Sequence, residues 1–403
     1  MTKGDDTHGE KPWLGAAAAL FGVGWGANQF APLLLVYRAV QHVGVATTQA
    51  IFGIYALGLI PGLVIGGPLS DRYGRRAIVR AAMLCSPFAS VVLMAGVFGT
   101  APLFLGRLLA GAASGAAFSA GTAWVKELSA PPFTDTAGGN GALRATLAMT
   151  AGFGLGPLAA GLVAQSGRYP EVLPYAPHLL IAAIVLPRLW SLPEPIPGRE
   201  RTPLAWRGAL VPSAGHPRFL RAVLPMAPWV FAAPTVGFAL LPSIVGGPAR
   251  GTSVGFSGAL AALAGLAAFA IQPLARRCDG IRAAIYGLWV IAAGMAVGAV
   301  AFAEQRPILV LVAAMTLGVG GGACFVAGLI EVQHIASQRD LGGLTAAYLA
   351  ATYTGFAVPY ALAILAGALN YTVLLSGLAI LAALSSGVVA RADSFAVAER
   401  EDE

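Results

Sequence analysis

The chain has 403 residues, of which 57% are hydrophobic and 11% charged, with a formal net charge of +7 and a mean hydropathy of +0.75. A soluble globular chain carries about 45–50% apolar and about 25% charged residues, so this composition excludes one. It implies a polytopic membrane protein whose length counts spans of about 20 apolar residues each, an all-α integral membrane fold.

The N-terminus is short and charged through Lys11, and the first apolar run, 13–37, is too long for a signal-peptide core and lacks a cleavage site, so it is expected to stay as the first span. Runs bounded by charge or turn residues follow at 46–70, 81–98, 102–125, 145–164, 175–192, 223–245, 253–274, 283–303, 308–330, 344–369 and 371–390, which predicts twelve transmembrane helices. The longest polar stretch separates the sixth run from the seventh and divides the chain into an N-terminal bundle at 1–192, a cytoplasmic central loop at 193–218 and a C-terminal bundle at 219–403. Lysines and arginines near span ends stay on the cytoplasmic side. With the N-terminus inside, only Arg38, Arg168, Arg250 and Arg306 fall outside and Arg107 falls within a run, so both termini are predicted cytoplasmic in a multi-pass cell-membrane protein.

In run one, Asn28 and Gln29 stand among apolar neighbours, where polar amides are expected to face a bundle interior or a watery cavity. After run two comes Gly67-Pro68-Leu69-Ser70-Asp71-Arg72-Tyr73-Gly74-Arg75-Arg76. A basic turn that merely anchors two helices at the cytoplasmic face explains Arg72, Arg75 and Arg76 but leaves Asp71, Gly67 and Gly74 unexplained. The segment resembles the signature loop of the major facilitator superfamily, Gly-x-x-x-Asp-Arg-x-Gly-Arg-Arg, at every fixed position. The resemblance implies two six-helix bundles and places Asp71 beside the cytoplasmic start of the eleventh helix, just after Asp340. It also pairs Arg75 with Glu127 at the end of the fourth run, the set acting as a conformational latch on the cytoplasmic side. Solvated surface ion pairs, contributing roughly 0–1 kcal/mol each, are the bland alternative, most of all for Glu127.

Arg107 is the one ionisable residue well inside an apolar run, a functional hypothesis by default, with snorkelling toward the outer interface as the alternative. The guanidinium keeps its proton, so its expected role is to hold an anionic group or to tune a neighbour. The run at 145–164 contains Gly152, Gly156, Pro157 and Gly161 and resembles the antiporter motif Gly-x-x-x-Gly-Pro-x-x-Gly-Gly of drug:proton antiporters, with Ala160 in place of one glycine. Small residues at this spacing let two helices approach closely, and Pro157 permits a bend. Ala148, Gly152 and Phe153 line up with Ala351, Gly355 and Phe356, and the turn 272–280 resembles a worn copy of the signature loop, which suggests duplication.

No acidic residue lies centrally in a run, a departure from many proton-coupled exporters of this family. Glu331 and His334, at the cytoplasmic end of run ten, are the remaining proton-binding candidates, with solvation at the interface as the plainer explanation of both. Trp25, Tyr55, Trp124, Trp229, Tyr286, Trp289, Tyr348, Tyr353 and Tyr360 are cavity or interfacial-belt candidates. Cys85, Cys278 and Cys324 show no metal-ligand spacing and are expected to be free thiols. Together these features predict a proton-coupled exporter of small lipophilic molecules, working as a monomer without cofactor, metal or nucleic-acid partner. A uniporter or a carrier of one small metabolite is the alternative within transport, and a non-transporting membrane sensor the alternative outside it. Convergent nucleophile, base or metal ligands of an enzyme are not found.

Overall fold

A computed structural model describes residues 11–134, 140–195, 212–246, 253–337 and 340–401, the last ten of these by backbone alone. Among the described residues eleven helices are long and apolar enough to cross a membrane: α1 Pro12–Val40, α2 Val45–Tyr73, α3 Arg75–Phe98, α4 Thr100–Leu128, α5 Gly141–Gln165, α7 Phe219–Ile244, α8 Val254–Ala275, α9 Gly280–Glu304, α10 Pro307–Ile335, α11 Leu341–Leu365 and α12 Tyr371–Arg391. α6, Leu173–Arg188, is apolar but shorter, so the run at 175–192 ends sooner as helix than its hydropathy indicates. In hydrocarbon every backbone polar group must be satisfied within its own segment, which is why apolar runs of this length become helices. Most of the central loop, 196–211, lies outside the described residues, as does Arg250.

Several helices are interrupted, most of them beside a proline, which removes a donor. Pro32 has no N–H to continue α1, and around it the chain tightens, with Ala31 N–H donating to Asn28 O at 3.1 Å and Leu33 N–H to Phe30 O at 3.0 Å. α2 tightens at Ile54, whose carbonyl accepts from Leu57 N–H at 3.0 Å. α7 holds wide turns at Phe219–Val223 and Val236–Leu240, the second following Pro234, and α11 tightens at Thr354–Ala357 just before Pro359.

The packing repeats with a shift of six helices. α1 packs on α5, α2 on α4 and α3 on α6, while α7 packs on α11, α8 on α10 and α9 on α12. A Cβ at Gly152 would strike Phe21 O and Trp25 N on α1, and one at Gly355 would strike Pro228 O and Ala232 N on α7, the same pair of backbone atoms four residues apart. The alignment of Gly152 with Gly355 in the sequence is thus an equivalence in packing.

The two bundles meet along a seam. α5 packs on α8, where Gly258 lies against Pro157 O and Gly161. The end of the molecule carrying residues 70–76 is termed the motif face, and the opposite end the far face. Near the far face Gln49 on α2 donates to Ala239 O on α7 at 3.1 Å, Arg38 on α1 donates to Ser243 O on α7, and Gly255 N–H on α8 donates to Gln165 Oε1 on α5 at 3.0 Å. These contacts close the far face between the bundles.

Candidate functional site

At the motif face Gly74 separates α2 from α3 with φ of 93° and ψ of 150°, a region open essentially to glycine alone. It also leaves room for Glu194, whose Oε2 would lie 2.7 Å from a Cβ built there. Glu194 caps α3: Arg75 N–H donates to its Oε1 and Arg76 N–H to its Oε2, both at 2.9 Å. A carboxylate on the exposed N–H groups of a helix start stabilises the helix by roughly 0.3–1 kcal/mol, up to about 2 when partly buried. Arg76 Nη1 holds Leu192 O at 3.1 Å, Arg80 holds Leu189 O and lies over the Trp190 ring, and Trp124 Nε1 donates to Pro193 O, so the segment after α6 is tied to α3 and α4.

Arg75 reaches Glu127 Oε1 through Nη2 at 3.2 Å and Asp71 Oδ1 through Nη1 at 2.9 Å. The Arg75–Glu127 contact expected from the signature loop is therefore present, and both residues belong to the first bundle. Asp71 is half exposed, and at the head of α11 Asp340 accepts from Ser213 Oγ at 2.8 Å. Arg72 lies over the Tyr73 ring. A Cβ at Gly67 would meet open space, so packing gives no reason for glycine there.

Arg107 does not snorkel: it is 1% exposed and enclosed at the centre of the first bundle. Its position follows from the two interrupted helices. Nη1 donates to Ala27 O at 2.8 Å, a carbonyl left by the tightening of α1, and Nη2 donates to Phe52 O at 3.1 Å beside the tightening of α2. The guanidinium also lies over the rings of Tyr55 at 4.4 Å, Phe30 at 5.1 Å and Phe52 at 5.3 Å. Nε is buried with no hydrogen-bond partner among the described residues.

Two rings of this cage continue across the seam. Phe356 on α11 stacks with Phe52 at 5.6 Å, tilts against Tyr55 at 5.7 Å and Phe231 at 5.3 Å, and Phe231 stacks on Tyr353 at 4.7 Å. Of the aromatic candidates only Tyr55 and Tyr353 join this cluster. Trp25 packs edge-on against Phe21, Trp124 and Tyr348 are buried within their own bundles, and Trp229 turns to Ser385 on α12. Tyr286, Trp289 and Tyr360 are exposed. The central members Phe52 and Phe231 escape the sequence reading, and Phe356 enters it only through the repeat, because a phenylalanine in an apolar run carries no mark of its neighbours.

On α5, Gly152 and Gly156 lie against α1 at Phe21 and Trp25, whereas Pro157 O and Gly161 lie against Gly258 of α8, so the motif serves two different interfaces. Asn28 donates to Phe153 O at 3.0 Å. Gln29 is fully buried and joins Ser90 Oγ at 2.8 Å and His178 Nδ1 at 3.4 Å, a histidine the sequence analysis did not single out. Interfacial solvation does not describe Glu331 either. It is fully buried, pairs with Arg218 Nε at 2.6 Å and lies against Gly280, while His334, half exposed, stands 3.9 Å away.

The sequence profile of the Major Facilitator Superfamily matches residues 14–358, most of the chain. The chain belongs to this superfamily. It is a multi-pass membrane transporter, not an enzyme. Curated relatives match over shorter stretches. An uncharacterized MFS-type transporter of Bacillus subtilis (strain 168), YfnC, is 31% identical over 166 residues, covering 38% of this chain and 36% of the relative. The 3-(3-hydroxy-phenyl)propionate transporter of Escherichia coli (strain K12) is 38% identical over 88 residues, covering 22% and 21%. The matched parts thus span about a third and about a fifth of these relatives. Among solved structures a D-xylose-proton symporter superposes with a TM-score of 0.73 at 16% identity, covering 94% of this chain and 96% of that one. A POT family transporter in complex with a thioalcohol-conjugated peptide gives 0.75 at 10% identity, covering 94% of each. At such identities the superpositions speak for the fold alone.

Proposed function

We propose that the protein exports a small lipophilic, aromatic-compatible molecule across the cell membrane by alternating access in exchange for protons. The observation that carries this reading is the aromatic cluster around Phe356, which spans the seam between the bundles and carries no acidic side chain. Rings that part when the bundles rock give an apolar molecule a surface to stack on near the middle of the membrane. The drug:proton antiporter likeness rests on Gly152, Gly156, Pro157 and Gly161.

The motif face is the cytoplasmic one in this reading, because Arg72, Arg75, Arg76, Arg80, Lys126 and Arg144 gather there, and both termini then lie inside. With the far face closed, Arg75 and Glu127 hold each other inside the first bundle. Asp71 holds Arg75 at the same face, and a latch there favours one state through contacts made only in that state.

A second reading is favoured by Arg107. Its buried Nε–H lacks a partner among the described residues and its cage shares Phe52 and Tyr55 with the seam, an arrangement suited to an aromatic carboxylate, and one relative is named for transport of such a compound. Movement of lipophilic fluorescent compounds and of 3-(3-hydroxyphenyl)propionate, measured in proteoliposomes with and without a pH gradient, tests both. Gradient-driven movement of the fluorescent compounds supports export by exchange with protons, and movement of the carboxylate alone selects the second reading. Movement indifferent to the gradient makes the protein a uniporter, and the absence of any movement overturns both readings.

A further inference from the structure

α6 carries a polar site inside the first bundle that neither the signature loop nor the seam employs. His178 is fully buried between α1, α3 and α6. Its Nδ1 lies 2.8 Å from Ser90 Oγ and 3.4 Å from Gln29 Nε2, its Nε2 lies 3.3 Å from Ser86 Oγ, and Gln29 Nε2 lies 2.8 Å from Ser90 Oγ. Gly26 on α1 leaves the space the ring occupies, since a Cβ there would stand 2.5 Å from its Cε1. A polar group in a membrane bundle is costly unless bonded, and a cluster of four is built rather than incidental.

The hydrogens can be assigned from the donors. Gln29 Nε2 only donates, so Ser90 Oγ accepts from it and turns its own O–H to His178 Nδ1. Nδ1 is then the acceptor of the ring, Nε2 carries the hydrogen and donates to Ser86 Oγ, and the imidazole is neutral. One member is left over: Gln29 Oε1 is buried with no hydrogen-bond partner among the described residues. It is an acceptor that the neutral arrangement does not use. If Nδ1 gains a proton, Ser90 must accept from it and pass its O–H onward. A half-turn of the Gln29 amide offers Oε1 to receive that O–H, and the hydrogen bonds from Nδ1 through Ser90 to Gln29 reverse direction.

We propose that His178 is a proton-binding site, with Ser90 and Gln29 as a reversible hydrogen-bond relay that gives Nδ1 a partner in both its neutral and its protonated forms. The balance is one proton taken up from water and one positive charge gained by the ring, with the reverse on release. Among the described residues the titratable and charged groups on the packed elements offer the site no counter-ion. Tyr37 on α1 and Tyr175 on α6 bond each other at 2.9 Å, and Arg38 at the far end of α1 bonds Ser243 O. On α3 Cys85 turns to Leu109 O, and Arg75, Arg76 and Arg80 lie at the motif face, where Arg188 ends α6. Arg107 on α4 is held by Ala27 O and Phe52 O. Glu171, ahead of α6, is bonded by Gln41. Gln29 lies in the interrupted segment of α1, two residues beyond Ala27, whose carbonyl holds Arg107. A reversal at Gln29 thus acts on the joint that ties α1 to the cage at the seam.

The role in coupling rests on the proton-exchange reading above, whereas the titration does not. In the full chain in lipid nanodiscs with 15N-labelled histidine, the His178 signal is identified by its loss in His178→Gln. The expected result is a neutral ring bearing hydrogen on Nε2 at high pH that becomes protonated between about pH 5 and 8, the range in which histidine is used as a switch. Gln29→Leu, which keeps the bulk and removes the acceptor, is expected to move the midpoint about one unit or more lower. A ring neutral across the whole range, or a midpoint indifferent to Gln29→Leu, overturns the site and leaves a structural core histidine. In proteoliposomes His178→Gln is expected to lower the ratio of gradient-driven movement to exchange about tenfold, and an unchanged ratio overturns the coupling role. If the unaltered chain shows no gradient-driven movement, the proton-exchange reading fails while the titration still decides the site.

Discussion

Two residues bear loads that their side-chain type alone does not reveal. At Gly74 a side chain meets both an inaccessible backbone conformation and the carboxylate that caps α3. Gly74→Ala is expected to cost about 1–3 kcal/mol from backbone strain, read as a lowered unfolding temperature in detergent. Adding Glu194→Ala removes the contact but not the strain, so the double variant should stay destabilised; full recovery would show that the contact alone matters. Arg107 spans two carbonyls on two helices while its plane faces three rings. A lysine ammonium carries the charge but not that plane or reach. Transport is expected to fall about tenfold or more in Arg107→Ala, with Arg107→Lys between it and the unaltered chain. Near-normal transport in both variants would reduce Arg107 to a packing element.

At the scale of the element, the glycines of α5 separate stability from turnover. Gly152 lies inside the first bundle and Gly258 lies across the seam from Pro157. Gly152→Val overpacks a fixed contact and is expected to cost about 1–3 kcal/mol of stability. Gly258→Val is expected to leave unfolding nearly unchanged and to slow transport, because it obstructs an approach needed in only one state. Similar losses of stability in both variants would mean that the seam is as permanent as the bundle cores. The spans themselves were legible, since the period and length of apolar runs record the hydrocarbon they cross. The Arg75–Glu127 pair was legible through a fixed motif. What escaped were partners brought together only by the fold: Glu194 on the start of α3, Arg218 on Glu331, and the rings around Phe356. His178 did carry a signal, as a histidine inside the run 175–192, but position in a run does not tell which face is polar. Glu331 looked interfacial because it ends a run, yet the wide turn at Phe219–Val223 opens α7 beside it and Arg218 covers it.

For the whole molecule, the polar contacts described between the bundles gather near the far face, with the Phe356 rings and the packing of α5 on α8 further along the seam, while Arg75 and Glu127 of the motif face pair within the first bundle. Alternating access requires the far-face contacts to break in each cycle, so they must be individually modest. Gln49 to Ala239 O is one neutral hydrogen bond, worth about 0.5–1.5 kcal/mol, and Arg38 to Ser243 O is another of the same kind with a charged donor. A covalent bridge at the same place would remove that freedom. In a Cys85→Ala, Cys278→Ser background, the pair Gln49→Cys and Ala239→Cys joined by a short bifunctional thiol reagent is expected to abolish movement of the compounds the protein carries. Reductive cleavage of the linker should restore it. Each single cysteine variant treated alike should keep transporting, because neither can link the two bundles. Continued transport by the bridged protein would mean that α2 and α7 do not separate during turnover, and that the molecule opens along α5 and α8 instead, where Gly258→Val would then be the variant that stops it.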